Sequence, residues 1–350
     1  LRLLVLCVSL AALAAPSLAL PGDRGAEEDT PLGLLKLSGG PWLTSAMGRW
    51  QTSFPLENGT SKKDFGFGST LEYNSPHDLM WLWSAELRPM KFLGLEVQYA
   101  DSSAVGGVSR DHDWLDAPSS IVTVLPSGNV YETPHKTDMS LSQSDVTGRT
   151  TYASINAYGR VLDIEDETAD YIVRQIVEVG LGYLFYDDRF RTKNLNQIIS
   201  TGDIISTPSP GHYDGEDSTF HFRWRGVKFA FREETITYHR QVHLSGGLGV
   251  SPFMSYYGEG FWNLRAGDDF RAAAPSFSQR ASGTLLEMRA AVSYTPVPFF
   301  TAELGYMLVY LKSRPGTITS FQADGTTISQ DLDSAWNERK GWLAGLTFRY

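Results

Sequence analysis

The last nine residues constrain the fold more than any other stretch. Trp342, Ala344, Leu346, Phe348 and Tyr350 alternate with Leu343, Gly345, Thr347 and Arg349. One apolar face and one smaller or polar face at period two is the pattern of a strand lying between two different media. A strand of this kind ending on an aromatic residue predicts the closing strand of an outer-membrane β-barrel. The pattern recurs upstream. Leu93, Leu95, Val97 and Tyr99 oppose Gly94, Glu96 and Gln98, and Val177, Val179, Leu181 and Tyr183 oppose Glu178, Gly180 and Gly182. Leu286, Met288 and Val292 oppose Glu287 and Arg289, while Phe300, Leu304, Leu308 and Tyr310 oppose Thr301 and Glu303. In a barrel the charged members face a wet lumen, where Glu287 and Glu303 are expected to pair with Arg289 and Arg349.

The two ends of the sequence suggest export. Arg2 precedes an apolar run from Leu3 to Ala14, and Ser17-Leu18-Ala19 offers a small-x-small cleavage site, so residues 1–19 are expected to be a signal peptide. Cys7 lies inside that segment and is the single cysteine, which excludes a disulfide framework and a thiolate metal site in the mature chain. Leu4-Val5-Leu6-Cys7 has some likeness to a lipoprotein box but stands too early. No later run of about 18 apolar residues predicts a transmembrane helix. A net charge of −10 without any dense Lys/Arg block argues against a nucleic-acid partner. Plentiful glycine (33) and aromatics (12%) suit strands that are only half apolar; the alternative is an exported β-sandwich.

Short Pro-marked turns are expected at Arg88-Pro89-Met90, Ser251-Pro252 and Thr295-Pro296-Val297-Pro298, separated by long polar stretches near 103–149, 189–233, 266–280 and 313–335. Tight turns alternating with long loops are the mark of periplasmic and extracellular connections. The predicted architecture is all-β: a ten-stranded antiparallel transmembrane β-barrel with long extracellular loops. It follows an extension over 20–41 and occupies 42–350. Its strands are placed at 42–53, 66–87, 91–102, 150–163, 170–188, 234–250, 253–265, 281–294, 299–312 and 336–350. Trp81, Trp83, Tyr99, Tyr183, Tyr294, Tyr310 and Trp342 are expected to form interfacial girdles. Strand 66–87 exceeds the 9–11 residues a bilayer requires, so the wall should project above the membrane.

After strand 91–102 comes Gly106-Gly107-Val108-Ser109-Arg110-Asp111-His112-Asp113-Trp114-Leu115-Asp116. This segment resembles the omptin family of outer-membrane proteases, whose second extracellular loop carries a glycine pair followed by Asp-x-Asp-Trp-Met-Asp. Ser69-Thr70-Leu71-Glu72-Tyr73 is similar to the family's Ser-Gln-Leu-Asp-Trp strand, Leu87-Arg88-Pro89 falls at its first periplasmic turn, and Ile236-Thr237-Tyr238 fits its Ile-Gly-Tyr strand. With the ten-strand count and the C-terminal strand, the likeness covers nearly the whole mature chain.

The resemblance implies a surface endopeptidase without a covalent intermediate, in which an aspartate pair faces an Asp-His pair across a water. Asp111 and Asp113 match the first pair, and two close carboxylates resist double ionisation and can orient a water. The second pair is where the sequence departs. In Arg265-Ala266-Gly267-Asp268-Asp269-Phe270-Arg271, Asp268 can take the aspartate's place, but Phe270 or Arg271 stands where the histidine is expected. Neither can accept a proton from water at neutral pH. His112, His135 and His212 are the candidate substitutes. Glu57 is the candidate for binding a basic substrate residue. Family members also depend on lipopolysaccharide, for which Arg240 is the lipid-phosphate candidate; no other cofactor and no metal is expected. The aspartates have plainer readings as turn caps or calcium ligands, although no glycine-centred calcium loop follows. The expected partners are outer-membrane lipid and a polypeptide substrate or host surface protein. A non-catalytic adhesin or structural barrel is the alternative, and a passive pore is disfavoured because ten strands leave a narrow lumen.

Overall fold

A computed structural model describes residues 35–55, 66–116, 122–124, 130–132, 136–167, 172–201, 208–237 and 241–349. In chain order the strands are β1 (Leu35–Pro55), β2 (Gly66–Met90), β3 (Leu93–Asp116), β4 (Val122–Val124), β5 (Val130–Glu132), β6 (Lys136–Glu167) and β7 (Ile172–Ser200). They continue with β8 (Gly211–Tyr213), β9 (Ser218–Thr237), β10 (Val242–Phe261), β11 (Phe277–Val297), β12 (Phe300–Ser313), β13 (Gly316–Phe321) and β14 (Thr327–Arg349). Ten long strands, β1, β2, β3, β6, β7, β9, β10, β11, β12 and β14, pair with their neighbours in sequence, and β14 pairs antiparallel with β1. The sheet therefore closes into a barrel without a free edge. The short strands are appendages: β4 pairs with β5, β8 with β7, and β13 with β11 and β14.

The expected alternation is realised as a lipid-like exterior over a polar interior. Leu181, Leu304 and Trp342 are each more than half exposed, and Phe348, Trp81, Trp83, Tyr99, Tyr183 and Tyr294 also face outward. Glu86, Glu96, Glu178 and Lys228 are buried inside. Arg289 bonds Glu303 as anticipated, but Glu287 pairs with Lys228 at 2.8 Å rather than with an arginine. Above this band the polarity reverses. Asp101 pairs with Arg149 on the outside, while Trp50, Tyr73, Phe190, Phe222 and Phe277 fill the inside.

Several strand assignments change, and β3, β6, β7 and β14 extend through residues expected in loops. β9 covers 218–237, where residues up to 233 were expected in a loop and 234–250 as a single strand, because above the apolar band Phe220, Phe222 and Trp224 point inward and His221, Arg223 and Arg225 face outward. Ser251-Pro252 is not a turn; β10 runs through it with a register shift between Ser251 and Met254. Proline is tolerated at bulges as well as turns, so the two look alike in sequence. β1 begins at Leu35, ahead of residue 42, since Gly39, Gly40 and Pro41 interrupt the alternation without ending the strand. A Cβ on Gly40 would lie 1.9 Å from the carbonyl oxygen of Ala344, so β14 can approach only because that atom is missing. The strand count and the connection between the seventh and eighth barrel strands stand as expected.

Candidate active site at the barrel mouth

Asp111 and Asp113 lie on β3 rather than in a loop, because that strand continues to Asp116. Below, the even-numbered residues Glu96 and Gln98 face the lumen. A register shift between Ser102 and Val105 adds one residue to β3, and above it the odd-numbered Ser109, Asp111 and Asp113 face inward. β2 carries a matching shift between Ser75 and Asp78, opposite Thr44–Ala46 of β1, with Pro76 inside it. Ser75 Oγ donates to the Gly106 carbonyl at 2.7 Å, which ties the two bulges together. At a rise of ~3.3 Å per residue in tilted strands, the aspartates stand roughly 30 Å above Tyr99, clear of the apolar band.

The pair borders a cavity of about 70 Å³ walled by serines 140, 142 and 144 of β6, Thr192 of β7, Phe220 of β9 and three acids, Asp111, Asp113 and Glu216. Arg265 closes it from the connection between β10 and β11. Burial, followed by the neighbouring charge of Asp113, holds the Asp111 carboxyl well above the ordinary aspartate value; Arg265 opposes the shift and Glu216 adds to it. Burial also raises Asp113, against a hydrogen bond from Ser69 and the positive charge of Arg265. Asp111 Oδ1 is buried and has no hydrogen-bond partner.

Glu216 precedes β9 and is 8% exposed. Thr192 Oγ1 donates to its Oε1 at 2.7 Å, while Oε2 is buried without a partner. Burial again raises this carboxyl, against hydrogen bonds from Ser144 and Thr192. The side chain of Asn263 stitches the two connections together: its Oδ1 accepts from the Asp217 backbone N–H at 2.7 Å, and its Nδ2 donates to the Gly215 carbonyl at 2.8 Å. Arg265 follows in the same 3₁₀ turn. It pairs with Asp269 at 2.8 Å and lies 4.8 Å above the ring of Phe270, which is buried against Trp262.

Of the residues expected at the site, the structure brings Asp111 and Asp113 together but leaves Asp268 exposed and outside the cavity wall. The connection contributes Arg265 instead, and the position expected to hold an imidazole is filled by the apolar Phe270. His112 does not join the pair; on the opposite face of β3 it meets Asp138 at 2.8 Å. His212 pairs with Asp214 in the open, and among the described residues no histidine lines the cavity. Glu57, Arg240 and His135 lie outside the described residues. Among the described residues no group of three or more His, Cys, Asp or Glu side chains is arranged to hold a metal ion. Glu216 and Arg265 escaped the sequence reading. The first sits in a stretch with no motif, and the second was assigned to the end of a strand.

The chain is similar in structure to the outer membrane protease OmpT from Escherichia coli, with a TM-score of 0.63 over 93% of this chain and 99% of that one, at 12% identity. At that identity the likeness establishes the fold alone. A FadL homologue from Pseudomonas aeruginosa aligns over 97% of this chain and 96% of its own, but with a TM-score of 0.24 and 8% identity it carries no argument. No family model matches the chain, and no curated protein matches it.

Proposed function

We propose that this chain is a bacterial outer-membrane barrel with its long connections outside the cell, and that its mouth is an omptin-like endopeptidase site. One observation carries the hydrolytic reading: a buried aspartate pair, in which the charge of Asp113 helps raise Asp111, faces a polar cavity with one carboxylate oxygen unpartnered. A group raised by burial keeps its proton at a pH where an exposed aspartate has lost it. Asp111, the more strongly raised, is suited to donate a proton to the departing amine, and Asp113 to hold the attacking water. The substrate is a polypeptide, and the acidic mouth favours a basic side chain beside the scissile bond. Lipopolysaccharide is the proposed lipid partner. The exposed arginines 149, 189 and 191, each paired with an aspartate, lie beyond the outward apolar residues and are the groups proposed to meet its phosphates.

A second reading, a non-catalytic surface protein that binds basic polypeptide segments, is favoured by the absence of an imidazole from the described cavity wall and by Arg265 in the facing connection. Refolding the purified chain with lipopolysaccharide and offering a fluorogenic peptide with paired basic residues separates the two. Turnover that disappears in Asp111→Ala supports the endopeptidase. Saturable binding of the peptide without turnover supports the binding protein.

A further inference from the structure

Within the endopeptidase reading, on which this inference rests, the water held by the aspartates needs a proton acceptor that the connection between β10 and β11 does not supply. We propose that Glu216, from the connection before β9, is that acceptor. Two carboxylate oxygens without donors, Oδ1 of Asp111 and Oε2 of Glu216, are buried at the wall of the same cavity. A buried carboxylate oxygen without a donor is costly, and a polar cavity relieves the cost by holding water. A volume of about 70 Å³ exceeds the roughly 10–15 Å³ that one water requires. Glu216 is also oriented as a base requires. Thr192 holds Oε1 by its hydrogen bond, which leaves Oε2 as the free oxygen. A glutamate kept only for packing or pairing would have a cation, yet among the described residues no lysine or arginine forms an ion pair with it. Asn263 fixes its loop against the one bearing Arg265, so the proposed base and the arginine beside the aspartates belong to one joined rim.

The proposed step balances without any further reactant. The water oxygen bonds to the scissile carbonyl carbon while its proton passes to Glu216 Oε2. The C–N bond then breaks as the amide nitrogen takes the proton of Asp111, giving a carboxyl terminus and a free amine. Glu216 returns its proton to Asp111 through water, and the site is restored.

The test uses the full chain refolded with lipopolysaccharide and the paired-basic fluorogenic peptide. Glu216→Gln is expected to lower kcat by about 10²–10⁴-fold, with KM little changed. It should also lose the acidic limb of the kcat–pH profile, where wild-type activity falls as the base becomes protonated. Glu216→Asp, which keeps the charge, should retain that limb with a smaller loss. Should the glutamine variant fail to fold, Thr192→Val decides, since freeing Oε1 misaligns the base and is expected to lower kcat by roughly 10–100-fold. Full activity in Thr192→Val, or a Glu216→Gln enzyme within twofold of wild type while Asp111→Asn is inactive, overturns the role of Glu216 and leaves the endopeptidase standing. A folded wild type silent toward every peptide overturns both.

Discussion

At the scale of single residues, the mouth keeps groups that stability alone would remove. Asp111 combines burial, a like-charged neighbour and an oxygen without a donor. Its carboxyl is raised in the folded state, so the native chain holds that proton more tightly than the unfolded chain does. Stability from this group is therefore complete below the unfolded aspartate value of about 4 and is lost as pH rises through the folded value. Asp111→Asn is expected to be more stable than wild type at pH 8 by about 1–3 kcal/mol, with the advantage vanishing near pH 3. Denaturant unfolding in detergent at the two pH values measures this, and an equal gain at both would show that the charge is not responsible. Arg339 has the opposite role. Fully buried, it donates to Asp78 at 2.6 Å and to Thr44 and Thr150 at 2.7 Å each. Its removal strands Asp78 and Asp188, so Arg339→Ala should lose about 3–5 kcal/mol by the same measurement.

At the scale of elements, the bulges determine which side chains reach the mouth. The extra residue of β3 between Ser102 and Val105 shifts the inward face from even to odd numbers, and without it Arg110 and His112 would point inward. Deleting Ala104 is therefore expected to turn Asp111 and Asp113 outward. On the proposed endopeptidase reading, peptide turnover should be abolished while the far-ultraviolet signature of the barrel is kept. A deletion variant with turnover intact would mean that the aspartates reach the site in some other way. The reversal of polarity along β9 has a related origin. The same strand type places aromatics inside and charges outside once it leaves the outward apolar band, as a strand whose outer face meets water does.

At the scale of the whole molecule, a closed wall surrounds a filled lumen. Tyr152 bonds both Gln98 and Glu287, Lys228 holds Glu287, Trp224 donates to Asn337 at 2.8 Å, and Arg339 spans from β14 to β6. Lower down, Arg88 and Arg232 join Glu86 and Glu178. Side chains from opposite walls thus meet at several levels. The chain reconstituted in a planar bilayer is expected to show no steady single-channel conductance, and open channels of uniform size would restore the pore reading. Strands of 14–32 residues exceed the 9–11 that a bilayer requires, and the excess carries the mouth beyond the outward apolar band.

The alternation of residue types was sufficient to predict a ten-stranded barrel and its outward aromatics, because a wall with an apolar outside and a polar inside imposes a period of two on every strand; the paired aspartates were legible only through the omptin resemblance of segment 106–116. That signal ends where the apolar band does. Above the apolar band β9 carries the reversed pattern, Pro252 marks a bulge where a turn was expected, and the shift in β3 cannot be seen without the partner strand that defines it. Glu216 and Arg265 are separated in sequence from the aspartates and belong to no motif. They reach one cavity only because β7, β9 and β10 bring their connections to the same rim, and proximity of that kind is a property of the closed sheet.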